Sequence, residues 1–196
     1  MCGIVGILHL DSSHVKKSVL RSMTDAIAHR GPDGEGQWAD GSVGLGHRRL
    51  SILDLSESGG QPMTTRDGRY TITYNGEVYN FKDLRRELER LGYEFLSGTD
   101  TEVILHAYAE WRETALSRFN GMFAFAVWDR KRRELFLARD RYGIKPLYWT
   151  RKGDVFAFGS EIKAILAHPA FSSEVDKEGL LEYFTFQNFF TSLSNI

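Results

Sequence analysis

One run constrains the fold more than any other, Met122-Phe123-Ala124-Phe125-Ala126-Val127-Trp128, because it offers no polar face. Across the basic turn Arg130-Lys131-Arg132-Arg133 a second apolar run follows, Leu135-Phe136-Leu137-Ala138. Two runs of strand length around a charged turn make a hairpin, and a hairpin apolar on both faces must be covered on both. The sheet that holds it needs a layer above and a layer below. With helical patterns elsewhere in the chain, this predicts two packed β-sheets with helices outside them, an α+β layered domain.

The rest of the chain supplies those layers. Residues 2–10 are mostly apolar and β-branched and predict a buried strand, in which Gly3 and Gly6 admit a close approach to the backbone. Residues 43–50 predict a strand that delivers Arg48 and Arg49 at its end. Tyr70-Thr71-Ile72-Thr73-Tyr74 alternates with period two and stops at Asn75-Gly76-Glu77. Further strands are predicted at 93–96, 147–150 and 155–159.

Helices are expected from His14, with Val15, Val19, Met23 and Ile27 on one stripe, and after Asn80 as N-cap, with Leu84, Leu88 and Leu91. Another follows Thr99 or Asp100 as cap, and two more lie after Ser160 and over 176–186. Residues 29–36, with three glycines and a proline, read as a loop.

Composition removes several function classes. With 42% hydrophobic residues the 196-residue chain can bury a substantial core. Its 25 basic and 26 acidic residues leave no charge footprint for nucleic acid, and the basic run reads as a solvated turn. A single cysteine excludes an internal disulfide framework and fits a reducing compartment. No long apolar segment or signal pattern is present, so a cytoplasmic protein without membrane contact is expected.

The six histidines show no ligand spacing, and no metal is predicted. The 29–36 loop lacks the Lys-Ser/Thr of a phosphate cradle. Ser58-Gly59-Gly60 runs into Gln61-Pro62-Met63 rather than Asp-Ser, so nucleotide binding is not predicted at either loop.

Chemistry enters at Cys2. Alone it could be a small apolar residue opening a buried strand. It also stands where loss of Met1 would leave a thiol and a free α-amine on one residue. An α-amine titrating at about 7.7–8.0 can serve as the base that a thiol nucleophile needs. A glutamine-splitting site would further require a guanidinium for the α-carboxylate, carboxylates for the α-ammonium, and two oxyanion donors. Arg49, Glu77, Asp100, the Asn75 amide and the Gly76 N–H are candidates at strand ends and loops. Spacing does not establish that they converge. Arg30 and Asp33 could shape their loop or touch substrate, and the 140–148 run reads as a structural turn.

A series of motifs then falls in one order. They are Met1-Cys2-Gly3-Ile4-Val5-Gly6, His29-Arg30-Gly31-Pro32-Asp33, His47-Arg48-Arg49-Leu50-Ser51-Ile52 and Gln61-Pro62-Met63. Next come Asn75-Gly76-Glu77-Val78-Tyr79-Asn80, Thr99-Asp100-Thr101-Glu102-Val103-Ile104 and Asn120-Gly121-Met122-Phe123-Ala124-Phe125. The last are Arg139-Asp140-Arg141-Tyr142-Gly143-Ile144-Lys145-Pro146-Leu147-Tyr148 and Ser160-Glu161-Ile162-Lys163-Ala164. With them the chain resembles the class II glutamine amidotransferase domain of the glutamine-hydrolysing asparagine synthetase family, a branch of the N-terminal-nucleophile hydrolases.

The resemblance implies a four-layer αββα sandwich of two mainly antiparallel sheets. It makes Cys2 the nucleophile and its α-amine the base, with Asn75 and Gly76 as the oxyanion hole. Arg49 would pair with the α-carboxylate of L-glutamine, helped by backbone groups of Leu50, Ser51, Ile52 and Leu53, and Glu77 and Asp100 would hold the α-ammonium. The domain is expected over residues 2–185, with 186–196 opening the passage to an absent C-terminal synthetase domain of the ATP-pyrophosphatase type. That domain would use ATP and Mg, whereas no cofactor is expected in this one. The chain is thus expected to be a fragment of a longer protein, with homodimerisation left open. Two rival readings are a catalytically idle glutamine-binding or interaction module and another N-terminal-nucleophile hydrolase such as an acylase.

Overall fold

The computed structural model describes residues 1–50 and 59–187. In chain order its strands are β1 (Gly3–His9), β2 (Gly34–Asp40), β3 (Val43–Arg49), β4 (Met63–Thr64), β5 (Tyr70–Val78), β6 (Gly121–Asp129), β7 (Glu134–Arg139), β8 (Tyr148–Lys152) and β9 (Val155–Gly159). The helices are α1 (Lys17–Asp25), α2 (Phe81–Arg90), α3 (Asp100–Trp111), α4 (Ile162–Leu166) and α5 (Lys177–Phe186). One antiparallel sheet runs β2-β3-β1-β9-β8, and the other runs β4-β5-β6-β7.

The two-faced strand is β6. Its Phe123, Phe125 and Val127 pack with Leu88, Val103, Ile104 and Tyr108 of α2 and α3. Ala124, Ala126 and Trp128, on the opposite face, pack with Ile4, Val43, Leu45 and Phe158 of the first sheet. The outer face of that sheet carries Val5 and Ile7 against Leu20 and Met23 of α1 and Ile165 of α4. The layers are therefore helix, sheet, sheet, helix, as the hairpin demands. At its turn, the fully buried Asp129 accepts the Lys131 and Arg132 N–H groups at 3.0 and 3.1 Å and pairs with Arg69 and Arg112 at 3.1 and 3.0 Å. Burial pushes its carboxyl upward, but these donors outweigh that and hold it below the usual range.

Some local expectations change. Residues 34–36, expected as the end of the 29–36 loop, instead open a strand, β2, which runs to Asp40 and pairs with β3 along its length; its two glycines and polar residues conceal the alternation. No strand forms over 93–96, because the Leu96 and Ser97 N–H groups donate to the Glu102 carboxylate at 2.8 and 2.7 Å. The first helix starts at Lys17, not His14.

Asn80 occupies the N-cap position of α2 without capping it. Its amide instead bridges Arg118 O at 2.9 Å and Asn120 N at 3.0 Å. The cap of α3 is Thr99, whose Oγ1 accepts from Glu102 N. Among the described residues, no helix is long and apolar enough to cross a membrane.

Candidate active site

Strand alternation decides which side chains can meet. On β3, Val43 and Leu45 face the inter-sheet layer, which sends Arg49 the same way and Arg48 outward. Arg48 accordingly pairs with Asp25 of α1 and, at 2.8 Å, with Glu35 of β2. On β5, Thr73 reaches across that layer to Gly46 O at 3.1 Å, so Asn75 and Glu77 follow it onto the inner face. Tyr74 points the other way, and its phenol meets Asp100 at the start of α3. Ile4 of β1 belongs to the inter-sheet cluster, and Cys2 lies two residues before it. The ends of β1, β3 and β5 thus converge with α3.

There they enclose a cleft of about 420 Å³, lined among others by Cys2, Arg49, Leu50, Asn75, Gly76, Glu77 and Asp100. Every predicted site residue within the described residues lines it. Ser51, Ile52 and Leu53 lie outside the described residues. Both signs of charge are present, with Arg49, Lys82 and Lys145 alongside Glu77 and Asp100.

The half-buried Cys2 thiol sits against Leu50, whose N–H donates to Sγ at 3.4 Å. Arg30 Nε donates to the Cys2 carbonyl at 2.9 Å, and Arg30 itself rests on Glu161 at 3.1 Å. Burial would raise the Glu161 carboxyl, but Arg30, His29 and Lys163 donate to it and hold it at about 2. Arg30 therefore fixes the backbone beneath Cys2 and is not among the cleft-lining residues. The Asp33 N–H donates to Arg49 O at 3.0 Å, pinning the end of β3.

Asn75 Nδ2 is buried with no hydrogen-bond partner. Such an orphan costs about 1–3 kcal/mol, so on a cleft wall it calls for an acceptor. Beside it Gly76 admits no side chain. A Cβ would lie 2.4 Å from Met122 O and 2.7 Å from Phe123 Cα.

Asp100 Oδ2 accepts the Tyr74 hydroxyl at 2.6 Å and the Val78 N–H at 3.0 Å. Burial raises the Asp100 carboxyl above its ordinary value, against the pull of those two donors. Burial, with Asp100 adjacent, pushes the Tyr74 phenol well above its own, so it stays a donor. His47 is held at about 4 by burial and is neutral near pH 7. Its Nε2–H donates to Tyr74 O at 3.2 Å and ties the sheets together.

Several wall residues escaped sequence reasoning, among them Gly59, Gln61, Lys82 and Lys145. A Cβ at Gly59 would lie 2.7 Å from Arg49 Nη2, so the glycine makes room for the guanidinium. Gln61 Oε1 accepts Tyr74 N–H at 2.6 Å while its Nε2 donates to Thr101 at 3.2 Å, bridging β5 to α3. Lys145, from the run read as a structural turn, lines the cleft beside Met1. In the sequence Gln61 falls in a rejected nucleotide loop and Lys145 in a structural turn, and both recur in the motif matches, but no charge or spacing argument gives either a place at the site. Among the described residues no group of three or more His, Cys, Asp or Glu could hold a metal ion.

The family model described as a glutamine amidotransferase domain matches residues 1–195. Asparagine synthetase [glutamine-hydrolyzing] 3 of Bacillus subtilis is 50% identical over 187 residues, covering 94% of this chain and 30% of that protein. Asparagine synthetase [glutamine-hydrolyzing] 1 of the same organism is 44% identical over 190 residues, covering 95% and 30%. The chain spans about 30% of the length of these relatives.

Among solved structures, the glutamine phosphoribosylpyrophosphate amidotransferase of B. subtilis superposes with a TM-score of 0.73 at 22% identity, over 86% of this chain and 44% of that one. That likeness is one of fold, the sandwich of two antiparallel sheets with helices outside. The chain belongs to the glutamine amidotransferase domain family, in the form found in glutamine-hydrolysing asparagine synthetases.

Proposed function

We propose that this domain hydrolyses L-glutamine to glutamate and ammonia through a thioester on Cys2. One observation carries the reading: a thiol, an orphaned amide donor and charges of both signs line a single cleft. Removal of Met1 frees the Cys2 α-amine, which takes the thiol proton. Sγ then attacks the side-chain amide carbon, and the carbonyl π pair moves onto oxygen. That oxyanion receives the Asn75 Nδ2–H and the Gly76 N–H, each such donor being worth about 10²–10³ in rate.

On collapse the C–N bond breaks, and the α-ammonium returns its proton to the departing ammonia. Water, deprotonated by the same amine, adds to the thioester; the C–S bond breaks and Sγ regains a proton. Arg49 holds the α-carboxylate, with backbone groups of Leu50, Ser51, Ile52 and Leu53 beside it. Glu77 and Asp100 hold the α-ammonium, whose charge offsets the cost of ionising a carboxyl that burial raises.

The wider reading follows the relatives' names. Ammonia passes to a C-terminal ATP-dependent domain, which uses ATP and Mg to activate an acceptor carboxylate, and asparagine is the product. We place the glutamine-splitting domain at residues 2–185 and the start of the passage at 186–196. Leu181 and Phe184 of α5, and Trp149 of β8, are exposed large apolar side chains that support contact with such a domain. A lone thiol that must stay reduced suits the cytoplasm.

Intact mass with a glutaminase assay on wild type and Cys2→Ala tests the core of the proposal. Glutamate release is expected only from protein lacking Met1 and to vanish in Cys2→Ala. Turnover unchanged in Cys2→Ala, or equal turnover with Met1 retained, overturns it.

A further inference from the structure

We infer that Lys145 is a positioning residue for the N-terminal base, its fixed charge disfavouring a protonated Cys2 α-amine and favouring an ionised sulfur. The inference rests on the glutaminase reading above. Lys145 is only 6% exposed, yet among the described residues the one acceptor its ammonium meets is the Met1 thioether, with Sδ at 3.5 Å. A thioether is a weak acceptor, and among the described residues no carboxylate pairs with this lysine. Buried ammonium groups are ordinarily paired, so a lysine left this way points to a charge used elsewhere.

Its placement is built. Asp140 accepts the N–H groups of Tyr142, Ile144 and Lys145 at 3.1, 3.0 and 3.0 Å, and that of Phe123 at 3.2 Å. Arg139 donates to the carbonyls of Lys145 and Gly143 at 2.8 and 2.5 Å. Gly143 supplies the positive φ of +64° that the turn requires. The loop holds one ammonium against one end of the cleft, where Met1 and Cys2 also lie.

Loss of Met1 removes the thioether and leaves the Cys2 α-amine as the new chain end in the cleft that Lys145 also lines. Two like charges there disfavour each other, and a thiolate is favoured by the lysine that remains. The other charges facing the cleft are Arg49 from β3, Glu77 from β5, Lys82 from α2 and Asp100 from α3, with His47 neutral. In the proposed complex the substrate's carboxylate and ammonium engage Arg49, Glu77 and Asp100. Arg30, which holds the Cys2 carbonyl, is offset by Glu161, so among the described residues Lys145 is the cation at that end left without a carboxylate.

The test uses protein shown by mass to lack Met1. The pH dependence of kcat/KM for glutamine is measured beside the pH dependence of alkylation of Cys2, the sole cysteine, by iodoacetamide. In Lys145→Met or Lys145→Gln the acidic limb of both profiles should move up by about 0.5–1 pH unit, with the alkaline plateau retained. Lys145→Arg should keep the wild-type limb. Either neutral variant suffices if the other does not fold.

An unmoved limb in a folded neutral variant overturns the inference and leaves the glutaminase reading intact. So does a rate loss equal at every pH, or the same shift in Lys145→Arg. If the wild type splits no glutamine, the glutaminase reading falls, and the alkylation profile alone decides the role of Lys145.

Discussion

The Tyr74 hydroxyl donates to Asp100 Oδ2 at 2.6 Å, and that same oxygen takes the Val78 N–H, so one carboxylate fastens α3 to β5. Burial raises Asp100, and Tyr74 opposes the rise. Tyr74→Phe should therefore raise it further and weaken any step that needs Asp100 ionised. We expect KM for glutamine to increase about 5–10-fold at pH 7, and by a larger factor as the pH falls towards 5. Steady-state kinetics across that range are the check, and a pH-independent KM ratio would contradict the role given to Asp100.

Asn75→Ala removes a donor that the fold leaves unpaired. Because no internal hydrogen bond is lost, the urea midpoint should stay level or rise slightly. The rate should nonetheless fall by about 10²–10³ in kcat, with KM little changed. A variant that loses stability in step with activity would argue for a structural amide.

Gly59→Ala places a methyl against the guanidinium of Arg49, the far end of a flexible side chain. The backbone can stay while the guanidinium moves. The expected signature is a KM raised roughly tenfold, with kcat within about twofold of wild type. Thermal unfolding should be almost unaltered, and a large drop in Tm with normal KM would show that the clash is resolved elsewhere.

How much of this was legible beforehand depends on the kind of signal. The apolar run over β6 required a layer on each side, and the observed packing of Phe125 and Trp128 on opposite faces follows directly from it. The strand predicted over 43–50 delivers Arg48 and Arg49 at its end, and its pleat then parts them, Arg49 to the cleft and Arg48 to Asp25 and Glu35. β2 was hidden because Gly34 and Gly36 carry no side chains by which alternation could be read. Gly59, Gln61 and Lys145 were hidden for another reason. Their contributions are contacts made across large sequence separations, such as Lys145 with Met1, and no local pattern encodes those.

Acid stability should report His47. Its folded value of about 4, against 6.5 ordinarily, means that the unfolded chain takes up the proton first as pH falls. Stability from this group is complete above about 6.5 and declines at up to about 1.4 kcal/mol per pH unit, reaching a loss of roughly 3 kcal/mol near pH 4. His106 and His168, also lowered by burial, add slopes of the same sign. The readout is therefore the difference between wild type and His47→Gln, which retains an N–H for the Tyr74 carbonyl. Denaturant midpoints between pH 7 and 4 should fall less steeply in the variant. Parallel curves would mean that His47 titrates normally.

The pleat of β5 acts as a parity rule on how this chain can change. Thr73, Asn75 and Glu77 occupy odd steps facing the first sheet, and Tyr74, Gly76 and Val78 occupy even steps facing the helices. Adding one residue to the strand before Asn75 would exchange the two sets, turning the amide towards α3 and a phenol towards the thiol. Adding two would restore both. Loops around the cleft can lengthen by any number, but β5 can change length only in pairs.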